Sequence, residues 1–153
     1  MSTKNKLKLL AVFVVLIFIL ALCFVPTQMH WGSGPRMNES SAVGTLRTIG
    51  KAQLRYEQAN PRSGFAASLA DLEPLLQDDP YVLDLLKGRP SGYTFQIVTT
   101  TADSQKRIVG YNLAARPTKY RVTGTASFLA DSTGAIHYTK EDRPATLSDP
   151  VIS

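Results

Sequence analysis

Ala126-Ser127-Phe128-Leu129-Ala130-Asp131-Ser132-Thr133-Gly134-Ala135-Ile136-His137-Tyr138 reads as two strands joined by a turn. Ala126, Phe128 and Ala130 fall at every second position, as do Ile136 and Tyr138, which is the period of a strand with one face on a core. Between them Asp131-Ser132-Thr133-Gly134 offers a carboxylate to cap backbone amides and a glycine for positive φ, the chemistry of a tight hairpin turn. Upstream the same period runs through Val109, Tyr111 and Leu113, and before that through Tyr93, Phe95 and Ile97 set against Thr94, Gln96 and Val98. Four such strands in succession predict an antiparallel meander.

Before Gly92 the period changes. From Asn38 to Ala59 the residues Ala42, Leu46, Ile49, Gln53 and Tyr56 share one helical face, widened by Val43, Gly50 and Leu54. Asn38 can cap this helix, Glu39 suits its positive end, and Asn60-Pro61 stops it. Asn38-Glu39-Ser40 also matches the glycosylation sequon, a match frequent by chance. Ser68-Leu69-Ala70-Asp71 predicts a capping box opening a short helix through Leu76, Pro80 opens another through Leu86, and Gly88 to Gly92 breaks the chain. Asp78, Asp79 and Asp84 lack the alternating spacing and glycine turn of a calcium loop, so they read as solvated acidic surface. The expectation is an α+β head over 38–149 with one amphipathic helix packed on a four-stranded antiparallel sheet. Val43, Leu46, Ile49, Tyr93, Phe95, Tyr111, Phe128 and Ile136 are its expected core, and residues 150–153 a tail.

The N-terminal quarter has a different character. The first 38 residues hold no acid and three lysines, Lys4, Lys6 and Lys8, ahead of a 17-residue apolar run from Leu9 to Val25. As a helix at about 1.5 Å per residue that run spans roughly 26 Å, close to a bilayer core. Residues 1–8 therefore read as a cytoplasmic basic tail and 9–25 as an N-terminal transmembrane helix serving as signal anchor. The exported part would lie beyond the bacterial inner membrane. A cleaved signal peptide shares this pattern, but the run is long for one and no Ala-x-Ala site follows it. Cys23 sits in a weak echo of a lipobox, and its simpler reading is an apolar side chain within the run. Residues 26–37, with two prolines and two glycines, read as a flexible linker, and His30 and Trp31 as interfacial residues.

Composition narrows the function. The formal charge of +5 falls to +2 without the three lysines, fourteen basic side chains against twelve acidic, so the high pI does not signal a nucleic-acid binder. With one cysteine in the chain there is no internal disulfide, and the exported domain must fold by packing alone. The exported part offers His30 and His137 but no cysteine and no Gly-x-Ser-x-Gly elbow, so no catalytic residue, cofactor site or metal site is expected. His137 lies between Ile136 and Tyr138, and alternation aims it at the opposite face, toward solvent. Lys106, Arg107, Arg116, Lys119 and Arg121 are the candidates for a weak nucleic-acid surface beside Tyr120. The exposed side of the Asn38 to Ala59 helix and the loop between Leu113 and Tyr120 are the candidate protein contacts. No small-molecule substrate is expected.

The segment from Asn38 to Gln53, Asn-Glu-Ser-Ser-Ala-Val-Gly-Thr-Leu-Arg-Thr-Ile-Gly-Lys-Ala-Gln, resembles the helix that follows the membrane segment in bacterial type IV pilin-like and pseudopilin-like proteins. Ser91 to Phe95, Tyr120 to Phe128 and Asp131 to Tyr138 resemble the successive strands and last hairpin of the same proteins, in the same order. The resemblance implies a pilin-like globular head. The family's Gly-Phe-x-x-x-Glu peptidase segment is missing, and Pro26, Gly32, Gly34 and Pro35 interrupt what would be a continuous helix. The resemblance therefore implies an accessory or structural component of a type IV pilus or type II secretion system. It would be non-catalytic and act through protein-protein contacts with other proteins of that machinery. The alternative is a free-standing envelope domain binding DNA or protein.

Overall fold

The computed structural model describes residues 34–88 and 91–152. Helix α1 (Pro35–Ala59) is followed by a 3-10 helix (Ala70–Leu76), helix α2 (Pro80–Leu86) and strands β1 (Tyr93–Ala102), β2 (Ile108–Pro117), β3 (Ser127–Asp131) and β4 (Ile136–Thr139). The strands form an antiparallel sheet in the order β1-β2-β3-β4.

Register sorts the side chains into two faces, because residues paired across an antiparallel ladder point the same way. One row runs Phe95, Ala115, Phe128, Tyr138 and the next Ile97, Leu113, Ala130, Ile136. This face meets the buried stripe of α1, where Ala42, Leu46, Ile49, Ala52 and Gln53 repeat at helical spacing. Leu72, Leu76, Val82 and Leu83 extend the core at its flank. Phe65 stands edge-on to Tyr111 with ring centres 5.1 Å apart.

Three local devices fix the elements. Ser68 and Asp71 form a reciprocal capping box, with Asp71 Oδ2 accepting from the Ser68 N–H at 3.0 Å and Ser68 Oγ from the Asp71 N–H at 3.4 Å. Asp79 caps α2 by accepting from the Val82 N–H at 3.1 Å, a role beyond solvated acidic surface. Gln53, fully buried, accepts from the Ala66 N–H at 2.8 Å and donates to the Ala66 carbonyl at 3.1 Å, filling both backbone groups as a strand partner would. The 60–66 segment it holds then borders β2 past the end of β3. There Ile108 N–H donates to Ser63 O at 2.9 Å and Phe65 N–H to Ile108 O at 3.0 Å.

The expected architecture, a transmembrane helix followed by a four-stranded head, is corrected on two points. Among the described residues no helix is long and apolar enough to cross a membrane. α1, the longest, carries Arg36, Glu39, Arg47, Lys51, Arg55 and Glu57 along its length. The apolar run 9–25 assigned to the span lies outside the described residues, as do Cys23, His30 and Trp31. The sheet also gains a fifth antiparallel segment: Val151 bridges to His137, Tyr138 N–H donates to Pro150 O at 2.9 Å, and Ile152 N–H donates to Ile136 O at 2.8 Å. The expected tail is thus part of the sheet, too short to show a period of its own.

The helix start is corrected as well. α1 begins at Pro35, a residue suited to the first turn because its missing N–H has no helical partner there. Asn38 is therefore inside the helix and buried, donating to Thr123 O at 2.8 Å instead of capping. Glu39 beside it accepts from Thr125 N–H at 2.7 Å and Thr125 Oγ1 at 2.8 Å. These bonds fasten the first turns of α1 to the 118–126 loop. Tyr93 clamps the same loop from below by donating its hydroxyl to Ala126 O at 2.7 Å.

Candidate functional site: an open sheet edge and a cleft beside the helix

The cations singled out in the sequence divide between the two ends of β2. Lys106 and Arg107 lie in the β1–β2 turn, while Arg116, Lys119 and Arg121 lie at or beyond the far end of that ten-residue strand, roughly 30 Å away at strand rise. Arg107 is occupied structurally, ion-paired with Glu57 and donating through Nε to Pro61 O at 2.8 Å. Arg116 approaches Asp142 at 3.4 Å, and Arg121 lies 5.5 Å from the Tyr120 ring centre. The structure brings together no single basic surface from these five residues. Much of the proposed contact stretch from Leu113 onward is strand β2, with Leu113 and Ala115 in the core.

His137 is not aimed at solvent; it is 8 % exposed. Alternation correctly identifies its face, shared with Leu129 beside it, but that face is covered by the C-terminal segment. The Asp149 carbonyl lies 2.8 Å from His137 Nδ1, and because a carbonyl can only accept, Nδ1 carries the proton. Nε2 sits 3.9 Å from Asp131 Oδ2. Asp149 is itself held by Arg143 in a two-point pair, Nη1 to Oδ2 at 2.8 Å and Nη2 to Oδ1 at 2.6 Å. The Arg143 guanidinium, with help from the Thr146 N–H, keeps the Asp149 carboxyl well below the usual carboxylate range.

Asp131 and Gly134 close the β3–β4 turn. Asp131 Oδ1 accepts from Thr133 N–H at 2.9 Å, Thr133 Oγ1 at 2.6 Å and Ala135 N–H at 3.1 Å, and Gly134 takes a φ of +90°. Partial burial pushes the Asp131 carboxyl up, but these donors and nearby His137 outweigh it and the net shift is downward.

Two surfaces remain open. The first is the outer edge of β1. Thr118 N–H donates to Gly92 O at 2.9 Å, so Gly92, Thr94 and Gln96 bond toward β2 and the backbone groups of Tyr93, Phe95 and Ile97 point away from it. Ser91 Oγ donates to Tyr93 O at 3.1 Å and accepts from Tyr93 N–H at 3.4 Å. The outward groups of Phe95 and Ile97 meet no partner among the described residues. Beside this edge runs a groove of about 400 Å³ with Leu69, Leu86 and Phe95 in its walls. β1 contains no charge and no proline, and its pairing slips at Val98, a half-exposed bulge.

The second surface is a cleft of about 320 Å³ between α1 and the β3–β4 hairpin, with Leu46, Leu54 and Ile136 among its apolar walls and Tyr111 beneath. Arg47 and Lys51 stand on its rim one helical turn apart. Gly50 leaves the helix bare there: a Cβ at that position would lie 3.6 Å from the Tyr111 hydroxyl. No family model, curated protein or solved structure matches this chain.

Proposed function

We propose that this chain is a non-catalytic interaction protein of the bacterial cell envelope, an accessory component of a type IV pilus or type II secretion system. The basic start and apolar run from Leu9 to Val25 support a place at the inner membrane with the head outside the cytoplasm. The pilin-like resemblance of 38–149 supports the association with that machinery.

One observation carries the reading: among the described residues, the fold covers one edge of its sheet and leaves the other open. At β4 the chain itself adds residues 150–152 by backbone bonding. At β1 the corresponding donors and acceptors of Phe95 and Ile97 are free of described partners, and a groove with apolar walls lies alongside. Such an edge takes an extended polypeptide, with main-chain bonds giving affinity and alternate side chains seated in the groove giving specificity. The occupant we assign is an extended segment of a partner protein with apolar residues at alternate positions, matched to Leu69, Leu86 and Phe95. From Tyr93 to Ile97, ahead of the bulge at Val98, the edge carries no charge, proline or bulge to block strand addition.

The test is site-specific photo-crosslinking in the native envelope from Gln96 and Val98. The expected product contains a pilus or secretion component and disappears in Ile97→Pro and in Val98→Lys, with the thermal transition of each variant confirming the fold. Crosslinks only between copies of this chain, or crosslinks indifferent to both substitutions, would overturn the assignment. An edge-dependent crosslink to an envelope protein outside that machinery would keep the binding mode and refute the pilus or secretion role.

A further inference from the structure

We infer that the cleft between α1 and the β3–β4 hairpin is a binding site for a small organic anion with an apolar body. Three features converge. Arg47 and Lys51 stand at its rim, and neither forms an ion pair with a described residue. Leu46, Leu54 and Ile136 line it, and Leu54 is 50 % exposed although it belongs to the apolar side of α1. Tyr111 is only 6 % exposed, yet its hydroxyl has no hydrogen-bond partner among the described residues and lies beneath Gly50.

The Tyr111 hydroxyl opens onto the cleft, where a bound acceptor would take the place of water as its hydrogen-bond partner. Burial and the charge of Asp131 both push the Tyr111 phenol upward, so it stays a proton donor at neutral pH. Asp131 also borders the cleft, but its Oδ1 is filled by the turn donors and its Oδ2 faces His137. With two cations against one such carboxylate, the charge balance selects a monoanion. The volume suits a ligand at the small end of the range for such clefts.

Gly50 accounts for access. A glycine within a helix costs up to about 1 kcal/mol relative to alanine, and here it leaves open the space above the Tyr111 hydroxyl. A larger side chain at 50 fills that space from the helix side.

The experiment uses the full-length chain in lipid nanodiscs, titrated with 3-phenylpropionate and followed by the methyl signals of Leu54 and Ile136. Its amine and alcohol analogues, 3-phenylpropylamine and 3-phenylpropanol, serve as charge controls. Saturable shifts are expected with the acid and at least tenfold weaker binding with the amine. Removing both rim cations (Arg47→Ala with Lys51→Ala) should weaken binding about tenfold, given exposed pairs worth up to about fivefold each. Tyr111→Phe should weaken it by about fivefold, the loss of one hydrogen bond, and Gly50→Val should abolish it. Equal binding of acid, amine and alcohol would overturn the inference, as would acid binding unaffected by the rim and Gly50 substitutions in folded protein. Non-saturable shifts in all three titrations would likewise show no site.

Discussion

Replacing Gln53 by methionine keeps nearly the same shape and deletes both bonds to Ala66, which makes it a sharp probe of the helix-to-loop connection. The side chain is fully buried, and Ala66 is buried beside it. The substitution strands one N–H and one carbonyl away from water, at about 1 to 3 kcal/mol each. Added apolar burial by the thioether and partial opening of the loop return some of this, so the expected loss is about 3 kcal/mol. For a domain of this size that lowers the thermal midpoint by about 12 °C, at about 4 °C per kcal/mol. Circular dichroism of the folded and heated protein measures it. Hydrogen exchange gives a local check, because the Ala66 amide should lose protection together with Phe65 and Ile108, whose mutual bonding depends on the same segment. A change under 0.5 kcal/mol with Ala66 still protected would refute the reasoning and show that its groups find other partners.

Further outcomes follow from other contacts. Gly124→Ala places a Cβ 2.2 Å from the Tyr93 hydroxyl, and overpacking of this kind should cost about 1 to 3 kcal/mol in a denaturant titration. Gly50→Ala, whose Cβ has only an ordinary contact with Tyr111, should raise stability by about 0.5 to 1 kcal/mol in the same assay. The Asp149 carboxyl is held low in the folded protein by Arg143 and Thr146. Its contribution is therefore present above the unfolded carboxylate pKa and lost as pH falls through the lower folded value. The protection factors of the Tyr138 and Ile152 amides should fall on acidification below about pH 4, and Asp149→Asn should show the lower protection already at neutral pH.

Much of the head was legible because its periods are simple. Tyr111, Leu113 and Ala115 alternate on one strand face and are buried together, while Ala42, Leu46, Ile49 and Gln53 repeat on α1. Asp131 and Gly134 announced their turn by residue type alone. His137 was misjudged because alternation reports which face a side chain takes, not what lies over that face. The cover is the 140–149 segment, whose Arg143 and Asp149 lock it by a pairing that no local period encodes. The edge segment at Val151 was hidden for a related reason: a strand this short has no repeat to read. Pro35 was a usable signal for the helix start, outweighed by Asn38, whose side chain serves a tertiary contact. The cleft was beyond sequence reasoning, since Arg47, Gly50 and Lys51 gain meaning only when the β3–β4 hairpin and Tyr111 are placed against them.

The bonds from Asn38 and Glu39 to the 118–126 loop also define a path for mechanical load. A pull on the chain ahead of Gly34 reaches the head at the first turn of α1, where the contacts to Thr123 and Thr125 act in parallel. Through Tyr93 and Ala126 the same loop is tied to β1, so tension is shared between helix and sheet before any strand can peel. The head is thus braced where the preceding chain enters it, and the first element to yield under force should be this loop.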